Sequence, residues 1–162
     1  MKKTKKTTIF IILLIIIILI FIMFSIRYFK PKKNIDDIKI IEVSKYSGFS
    51  SPVGKYVINF AKNSITYTYS YLNRTNNDNQ FSSGNFKKED AEYFLEQANS
   101  YGFFNWKKSY KTKNGGNDLP YTHIYITFND NSIQEIYCEG KFPFKYDEMA
   151  DVFYEAFGYH IL

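Results

Sequence analysis

The residues best suited to covalent chemistry are the single cysteine, Cys138, and the histidine His123. A histidine beside a thiol can accept its proton and leave a thiolate nucleophile. The two residues lie on either side of a predicted hairpin turn at 129–132, and a turn of even length would place them directly opposite each other. The sequence therefore contains one candidate catalytic pair, which depends on the register of this hairpin.

The hydrophobic pattern of the hairpin favours another register. Ile136 and Cys138 share one face with the apolar residues of the preceding strand only if the residue numbers of each facing pair add up to an even number. A turn with an odd number of residues gives this register. Cys138 then points into the core, and His123 lies on the opposite face near Glu135 or Glu139. We therefore predict a buried structural thiol and no catalytic residue.

Three tyrosines at alternating positions, Tyr67, Tyr69 and Tyr71, form a candidate binding surface. Alternation by two directs their side chains to one face of a strand. If helices cover that face, the tyrosines belong to the core. If the face is open, they form an aromatic platform suited to sugars or to the apolar residues of a partner. The sequence leaves both interpretations open.

No other pattern indicates an enzyme or a cofactor site. Phosphate-loop, serine-hydrolase, zinc-protease and dinucleotide-binding motifs are absent from the sequence. A lone cysteine excludes an intramolecular disulfide and a cysteine-based zinc cage, and the second histidine, His160, lies close to the carboxyl end. We predict neither a metal nor a cofactor.

Hydrophobic periodicity predicts one α+β domain over 38–162. Period-two alternation indicates strands, and apolar residues spaced three and four apart indicate two amphipathic helices. We expect a mainly antiparallel sheet with both helices packed on one face. The predicted strands cover 38–44, 56–60, 65–71, 81–86, 121–128 and 133–139, and the predicted helices cover 87–100 and 146–157.

The amino-terminal part has the sequence pattern of a membrane anchor. Residues 9–26 are apolar except for Ser25, and a helix of this length spans about 27 Å. No small-residue cleavage site follows, so we expect the segment to stay uncleaved. The predicted organisation is a basic tail over 1–8, a transmembrane helix over 9–26, a linker over 27–37 and the domain over 38–162.

The distribution of charge decides which partners we expect. Eight basic residues flank the apolar run, whereas the remaining 13 basic residues face 16 acidic ones and give the folded part a net charge of −3. A nucleic-acid-binding protein needs its positive charge on the folded domain, so we predict no such partner. The expected partners are the lipid bilayer through residues 9–26 and a cell-envelope polymer or protein.

Orientation follows less directly, because basic residues flank both ends of the apolar run. The short tail with its amino group is readily retained, and a long domain is translocated largely regardless of charge. We therefore predict a single-pass protein of the cell membrane with its amino terminus in the cytoplasm and its carboxyl-terminal domain outside.

Motifs around the predicted elements resemble small bacterial exported domains of unknown function, which are carried by lipoproteins or by single membrane anchors. The resemblance covers 38–157 and rests on Ser-Gly-Asn-Phe at 83–86, Tyr-Gly-Phe-Phe at 101–104, Asn-Asp-Leu-Pro at 117–120 and Pro143. This chain departs from the lipoproteins in lacking their anchoring cysteine. The resemblance implies a fold and an exported compartment, and it carries no catalytic residues.

These observations favour a surface-tethered binding or interaction module. Two alternatives remain open from the sequence: a subunit of a membrane complex, and a hydrolase-type enzyme that uses the Cys138 and His123 pair.

Overall fold

The structure is a computed structural model that describes residues 12–22, 33–47, 53–70, 79–112 and 119–162. The chain divides into two compact units, Met1–Lys32 and Lys33–Leu162. The described part of the first unit is one helix, α1, over 12–22. The second unit contains every other described element.

The predicted transmembrane helix over 9–26 is contradicted. No helix among the described residues is long and apolar enough to cross a membrane. Residues 9–11 and 23–26 of the predicted span lie outside the described residues, as do the predicted tail over 1–8 and most of the linker.

The predicted single-pass localisation is contradicted with it, including the cytoplasmic amino terminus and the extracytoplasmic domain. Both rested on an uninterrupted apolar run, which is the sequence signal for a membrane span. A run measures hydropathy along the chain, whereas a span also requires a helix of matching length. No helix in the described part of the chain meets that condition.

The second unit is α+β, with one seven-stranded mixed sheet in the order β4-β3-β2-β1-β6-β7-β5. Neighbouring strands are antiparallel except for β5 and β7, which are parallel. The elements are β1 (Ile38–Tyr46), β2 (Gly54–Asn59), β3 (Ser64–Ser70), β4 (Asn79–Asn85), α2 (Lys88–Ser100), β5 (Ser109–Lys111), β6 (Tyr121–Phe128), β7 (Ile133–Glu139) and α3 (Tyr146–Phe157), with short 3-10 helices at Ile35–Asp37 and Phe103–Asn105.

Most elements agree with the predicted ones. The second hairpin and α3 have the predicted bounds, and β4 is an edge strand as expected. Strand β5 was missed, because three residues are too few to show a periodic pattern. Its parallel pairing with β7 makes the sheet mixed, whereas we expected a mainly antiparallel sheet.

Both larger helices end where the backbone turns left-handed at a glycine. Gly102 has φ 71° and Gly158 has φ 74°, a conformation that costs little without a Cβ atom. The N–H of Gly158 donates to the carbonyl of Tyr154 at 2.7 Å. At the start of α2, the Asp90 carboxylate accepts a hydrogen bond from the N–H of Lys87 at 2.8 Å. These ends fix how far each helix extends over the sheet.

Helices α2 and α3 pack on one face of the sheet, which we call the covered face. Every described buried hydrophobic residue lies between Ile38 and Ile161. The unit Lys33–Leu162 therefore holds a complete core, and we expect it to fold by itself. The largest fully buried side chains are Phe94, Phe103, Phe153, Ile38, Ile41, Ile58, Ile65, Ile124, Ile126, Ile136, Met149 and Ile161.

The opposite face, which we call the open face, has no described helix of this unit packed on it. Because side chains alternate along a strand, every second residue points to each face. Val43 pairs with Tyr56 and Ile124 on the covered face, whereas Ser44 of the same strand pairs with His123 on the open face. The pairing of strands thus decides which distant residues share a face.

Candidate binding surface

The predicted tyrosine ladder lies on the covered face. Tyr67 pairs with Tyr56 of β2, and their rings stack with centroids 4.3 Å apart and an interplanar angle of 17°. Tyr69 lies beside Tyr67, with 6.1 Å between the ring centroids. Tyr159, which follows α3, lies 6.4 Å from Tyr67. Tyr71 lies outside the described residues, so the ladder is described at two of its three positions.

This tyrosine cluster belongs to the periphery of the core. Tyr56 is 8% exposed, and Tyr67 packs against the buried residues while staying half-buried. Removal from water raises the pKa of the Tyr56 hydroxyl above its ordinary range, and the neighbouring Tyr67 raises it further. The ladder positions that the structure describes are therefore directed to the helix side of the sheet, with Thr66 and Thr68 on the open face.

The structure does not bring Cys138 and His123 together. Thr122 pairs with Cys138, and His123 pairs with Tyr137, which confirms the register predicted from the packing pattern. Cys138 is fully buried on the covered face, and burial raises the pKa of its thiol to about 11. At neutral pH the sulfur is thus protonated and weakly nucleophilic.

An aromatic cluster that we did not predict occupies the open face. It consists of Tyr46, Tyr121, His123, Tyr125 and Tyr137, and we call it the tyrosine face. The rings of Tyr46 and Tyr121 stack at 4.2 Å with an interplanar angle of 10°. His123 lies 4.3 Å from Tyr125 and 5.6 Å from Tyr137, and Tyr121 lies 5.3 Å from Tyr137. The five rings form one continuous patch.

Three adjacent strands assemble this patch. Strand β6 contributes Tyr121, His123 and Tyr125 at alternating positions, and β1 adds Tyr46 opposite Tyr121. On the other side, β7 adds Tyr137 opposite His123. The alternation within β6 is visible in the sequence, and the place of Tyr137 follows from the β6–β7 hairpin, but the contribution of β1 depends on a pairing between strands far apart in the chain. That dependence explains why sequence reasoning missed the patch.

His123 is held by a carboxylate. Its Nε2 atom lies 2.9 Å from Oε1 of Glu135. The predicted register placed His123 near Glu135 or Glu139. The other oxygen of Glu135 lies 3.0 Å from Nζ of Lys108. Hydrogen bonds from Lys108 first and His123 second lower the pKa of the Glu135 carboxyl. The hydrogen bond to Glu135 orients the imidazole, and its ring stays in contact with Tyr125 and Tyr137.

The fixed charges of this face are paired. Lys55 Nζ lies 2.6 Å from Glu42 Oε2, and Lys111 Nζ lies 3.6 Å from Glu139 Oε2. Lys111 also lies over the Tyr137 ring, with Nζ 4.7 Å from its centroid, a favourable cation–π geometry. Together with the pair of Lys108 and Glu135, three glutamates are balanced by three lysines.

The hydroxyls of Tyr121, Tyr125 and Tyr137 are neutral at ordinary pH. Partial removal from water raises the pKa of Tyr121, Tyr125 and Tyr137, and neighbouring ionisable side chains raise it further. A neutral phenol both donates and accepts hydrogen bonds. The patch therefore combines apolar ring surface with polar groups of both kinds.

A groove of about 330 Å³ adjoins the patch and is lined by Lys108, Ser109, Lys111, Glu135 and Tyr137. Its volume lies at the lower end of the range for small-ligand sites, roughly 300 to 1,000 Å³. Smaller cavities of about 230 and 140 Å³ lie around Asp36 and Asn129, away from the aromatic rings. Within the described ranges, no group of three or more His, Cys, Asp or Glu side chains is arranged to hold a metal ion.

Comparison of the chain with protein-family models and with curated proteins finds no match. The resemblance to exported bacterial domains stays a prediction from the sequence.

Proposed function

We propose that this chain is a binding module without catalytic activity, and that the tyrosine face binds a neutral carbohydrate polymer. The observation that carries the proposal is the continuous patch of five aromatic rings on a sheet face without a described helix of its unit. Tyr125 is 36% exposed, and the other four side chains are half-buried. Clustered and accessible rings are typical of binding surfaces.

The chemistry of the patch suits a sugar ring. A pyranose presents C–H groups on its faces and hydroxyls around its rim. Tyrosine rings provide apolar surface for the former, and tyrosine hydroxyls and the carboxylates of Glu135 and Glu139 provide partners for the latter. The adjoining groove offers the Glu135 carboxylate and the Tyr137 phenol within one small volume.

Charge supports a neutral ligand over an ionic one. The three lysines and three glutamates of the open face lie in pairs, so they provide no net charge to attract an anion or a cation. Tyrosine is also enriched in protein interfaces, so the experiment below must separate a carbohydrate from a protein partner. Tyr125 is the large exposed residue of the patch, and the exposed aliphatic side chain of Ile133 lies outside it on β7.

Affinity electrophoresis of the full chain tests the proposal. The probes are a β-glucan, a mannan and a xylan, each cast into a native gel, with a carboxylated polysaccharide as the charged comparison. We expect at least one neutral polymer to retard the chain, and we expect Tyr125→Ala to abolish most of the retardation. Tyr93→Ala is the matched control, because Tyr93 is 37% exposed on α2.

Two results would overturn the proposal. One is unchanged migration in every neutral polymer together with retardation in the carboxylated one, which would indicate an ionic ligand. The other is equal loss of retardation in Tyr125→Ala and Tyr93→Ala, which would place binding outside the tyrosine face. A chain that instead captures a protein through Tyr125 would refute the carbohydrate ligand.

A further inference from the structure

The two edges of the sheet are unequally protected. Strand β5 is three residues long and carries Lys111, and a short, charged edge strand discourages further pairing. Strand β4 forms the other edge with seven residues that include no charge and no proline. No described strand pairs with its outer side. Within the described part of the chain, strand β4 therefore lacks the features that usually protect an edge.

The hydrogen-bonding direction along β4 follows from its register. The N–H of Phe86 donates to the carbonyl of Asn63 at 3.0 Å, and this pair continues the β3–β4 register. Hydrogen-bonded pairs alternate in an antiparallel ladder. The backbone groups of Ser82 and Gly84 thus point toward β3, and those of Phe81 and Ser83 point outward.

Phe81 is the most prominent side chain of this edge. It points to the open face opposite Thr68 and is 68% exposed. A phenyl ring this exposed beside an unprotected edge is a marker of an association site. An extended strand is the partner that fits such a row of outward backbone donors and acceptors.

We propose that this strand is β4 of a second copy of the chain, paired antiparallel about a twofold axis with Phe81 opposite Phe81 of the partner. In a contact about a twofold axis, the same strand of each copy faces the other. Like charges on that strand would therefore lie close together and repel each other. Strand β4 is uncharged. The register also places the outward backbone groups of Phe81 in a hydrogen-bonded pair, and each phenyl ring covers the other.

Cysteine crosslinking of the full chain tests this pairing. Residues facing each other in a hydrogen-bonded pair have Cα atoms about 5.5 Å apart, within disulfide range. We expect Phe81→Cys to form a disulfide-linked dimer on mild oxidation about tenfold faster than a randomly colliding cysteine does. The natural Cys138 is fully buried and does not interfere.

Two control positions separate pairing from collision. Ile133→Cys is the exposure control, because Ile133 is 65% exposed on β7. Ser83→Cys is the register control. Ser83 is exposed on the same strand, but in the proposed pairing it faces position 79 of the second copy and not another Ser83. We expect both variants to crosslink slowly.

A backbone variant completes the test. Ser83→Pro in the Phe81→Cys chain removes an outward N–H while leaving the ladder to β3 intact, and edge strands tolerate proline. We expect crosslinking to fall severalfold, whereas Ser83→Ala keeps it. Equal rates for Phe81→Cys and Ile133→Cys would overturn the proposal. Faster crosslinking at Ser83→Cys, or no effect of proline, would also overturn it.

Discussion

The tyrosines of the covered face and those of the open face have the same side chain and the same alternating arrangement on strands, but their surroundings differ. Tyr56 and Tyr67 stack beneath the end of α3 near Tyr159, whereas Tyr46 and Tyr121 stack where no described helix of the unit lies. The first pair removes ring surface from water and stabilises the fold. The second keeps part of its surface accessible, which stability alone does not require.

Residue type and spacing therefore predict a ladder of tyrosines but not its role. The role depends on which face the helices cover, and the helices cover the face with the larger aliphatic residues. On the covered face the tyrosines extend a core of isoleucines and phenylalanines. On the open face they lie among paired lysines and glutamates.

The largest expected effect is on the covered face. Tyr56→Ala should lower the free energy of unfolding by about 3 kcal/mol or more, because it removes a buried aromatic ring and leaves a cavity. Chemical denaturation of the Lys33–Leu162 unit measures this change. Tyr56→Phe is the control and should cost only about 1 kcal/mol, since it removes one hydroxyl contact. A cost for Tyr56→Ala as small as that for Tyr125→Ala would contradict the distinction between the faces.

Alkaline pH should reveal the burial of Cys138. Its pKa is raised from 9.0 to about 11 in the folded state, so the unfolded chain loses the thiol proton first. This stabilising contribution is complete below pH 9 and is lost as the pH rises toward 11. Between pH 8 and 10.5 the natural chain should lose about 2 kcal/mol more than Cys138→Ala.

Denaturation curves of the two chains at both pH values provide this comparison, and the titration of tyrosines common to both cancels in the difference. Equal losses would indicate that the thiol is exposed. Rapid reaction of the folded chain with a thiol reagent at neutral pH would indicate the same.

The open face should contribute little to stability. Tyr125→Ala is expected to change the free energy of unfolding by no more than about 0.5 kcal/mol, as is usual for accessible side chains, while it abolishes retardation by a neutral polysaccharide. Denaturation and affinity electrophoresis of the same preparation separate the two effects. Loss of stability as large as that of Tyr56→Ala would show that the patch is structural.

The smallest expected effect concerns Glu135. Hydrogen bonds from Lys108 and His123 lower the pKa of this carboxyl from 4.5, so its contribution to stability is present above that pH and is lost as the pH falls through the folded value. Glu135→Gln lacks this contribution. Its melting temperature should therefore fall slightly less between pH 6 and 3 than that of the natural chain, and a larger fall would contradict the assignment.

Local patterns predicted much of the fold. The helix over Tyr146–Phe157 and the strands Tyr121–Phe128 and Ile133–Glu139 were predicted with their observed bounds, because each is long enough to show its own period. The register of that hairpin followed from keeping Ile136 and Cys138 with the core. The apolar run at 9–26 gave a wrong prediction, because an apolar run alone does not establish a membrane-spanning helix, and none is found among the described residues.

The sequence by itself determined the α+β class, the second hairpin, the two amphipathic helices and the separation of Cys138 from His123, because each depends on periodicity within one segment or on one short turn. Tertiary structure alone decided that Tyr67 faces the helices, that β5 joins the sheet, and that Tyr46 lies beside Tyr121. Those contacts depend on pairing between strands far apart in the chain. Such pairing is selected by how well the whole sheet buries its apolar face, which no single segment encodes.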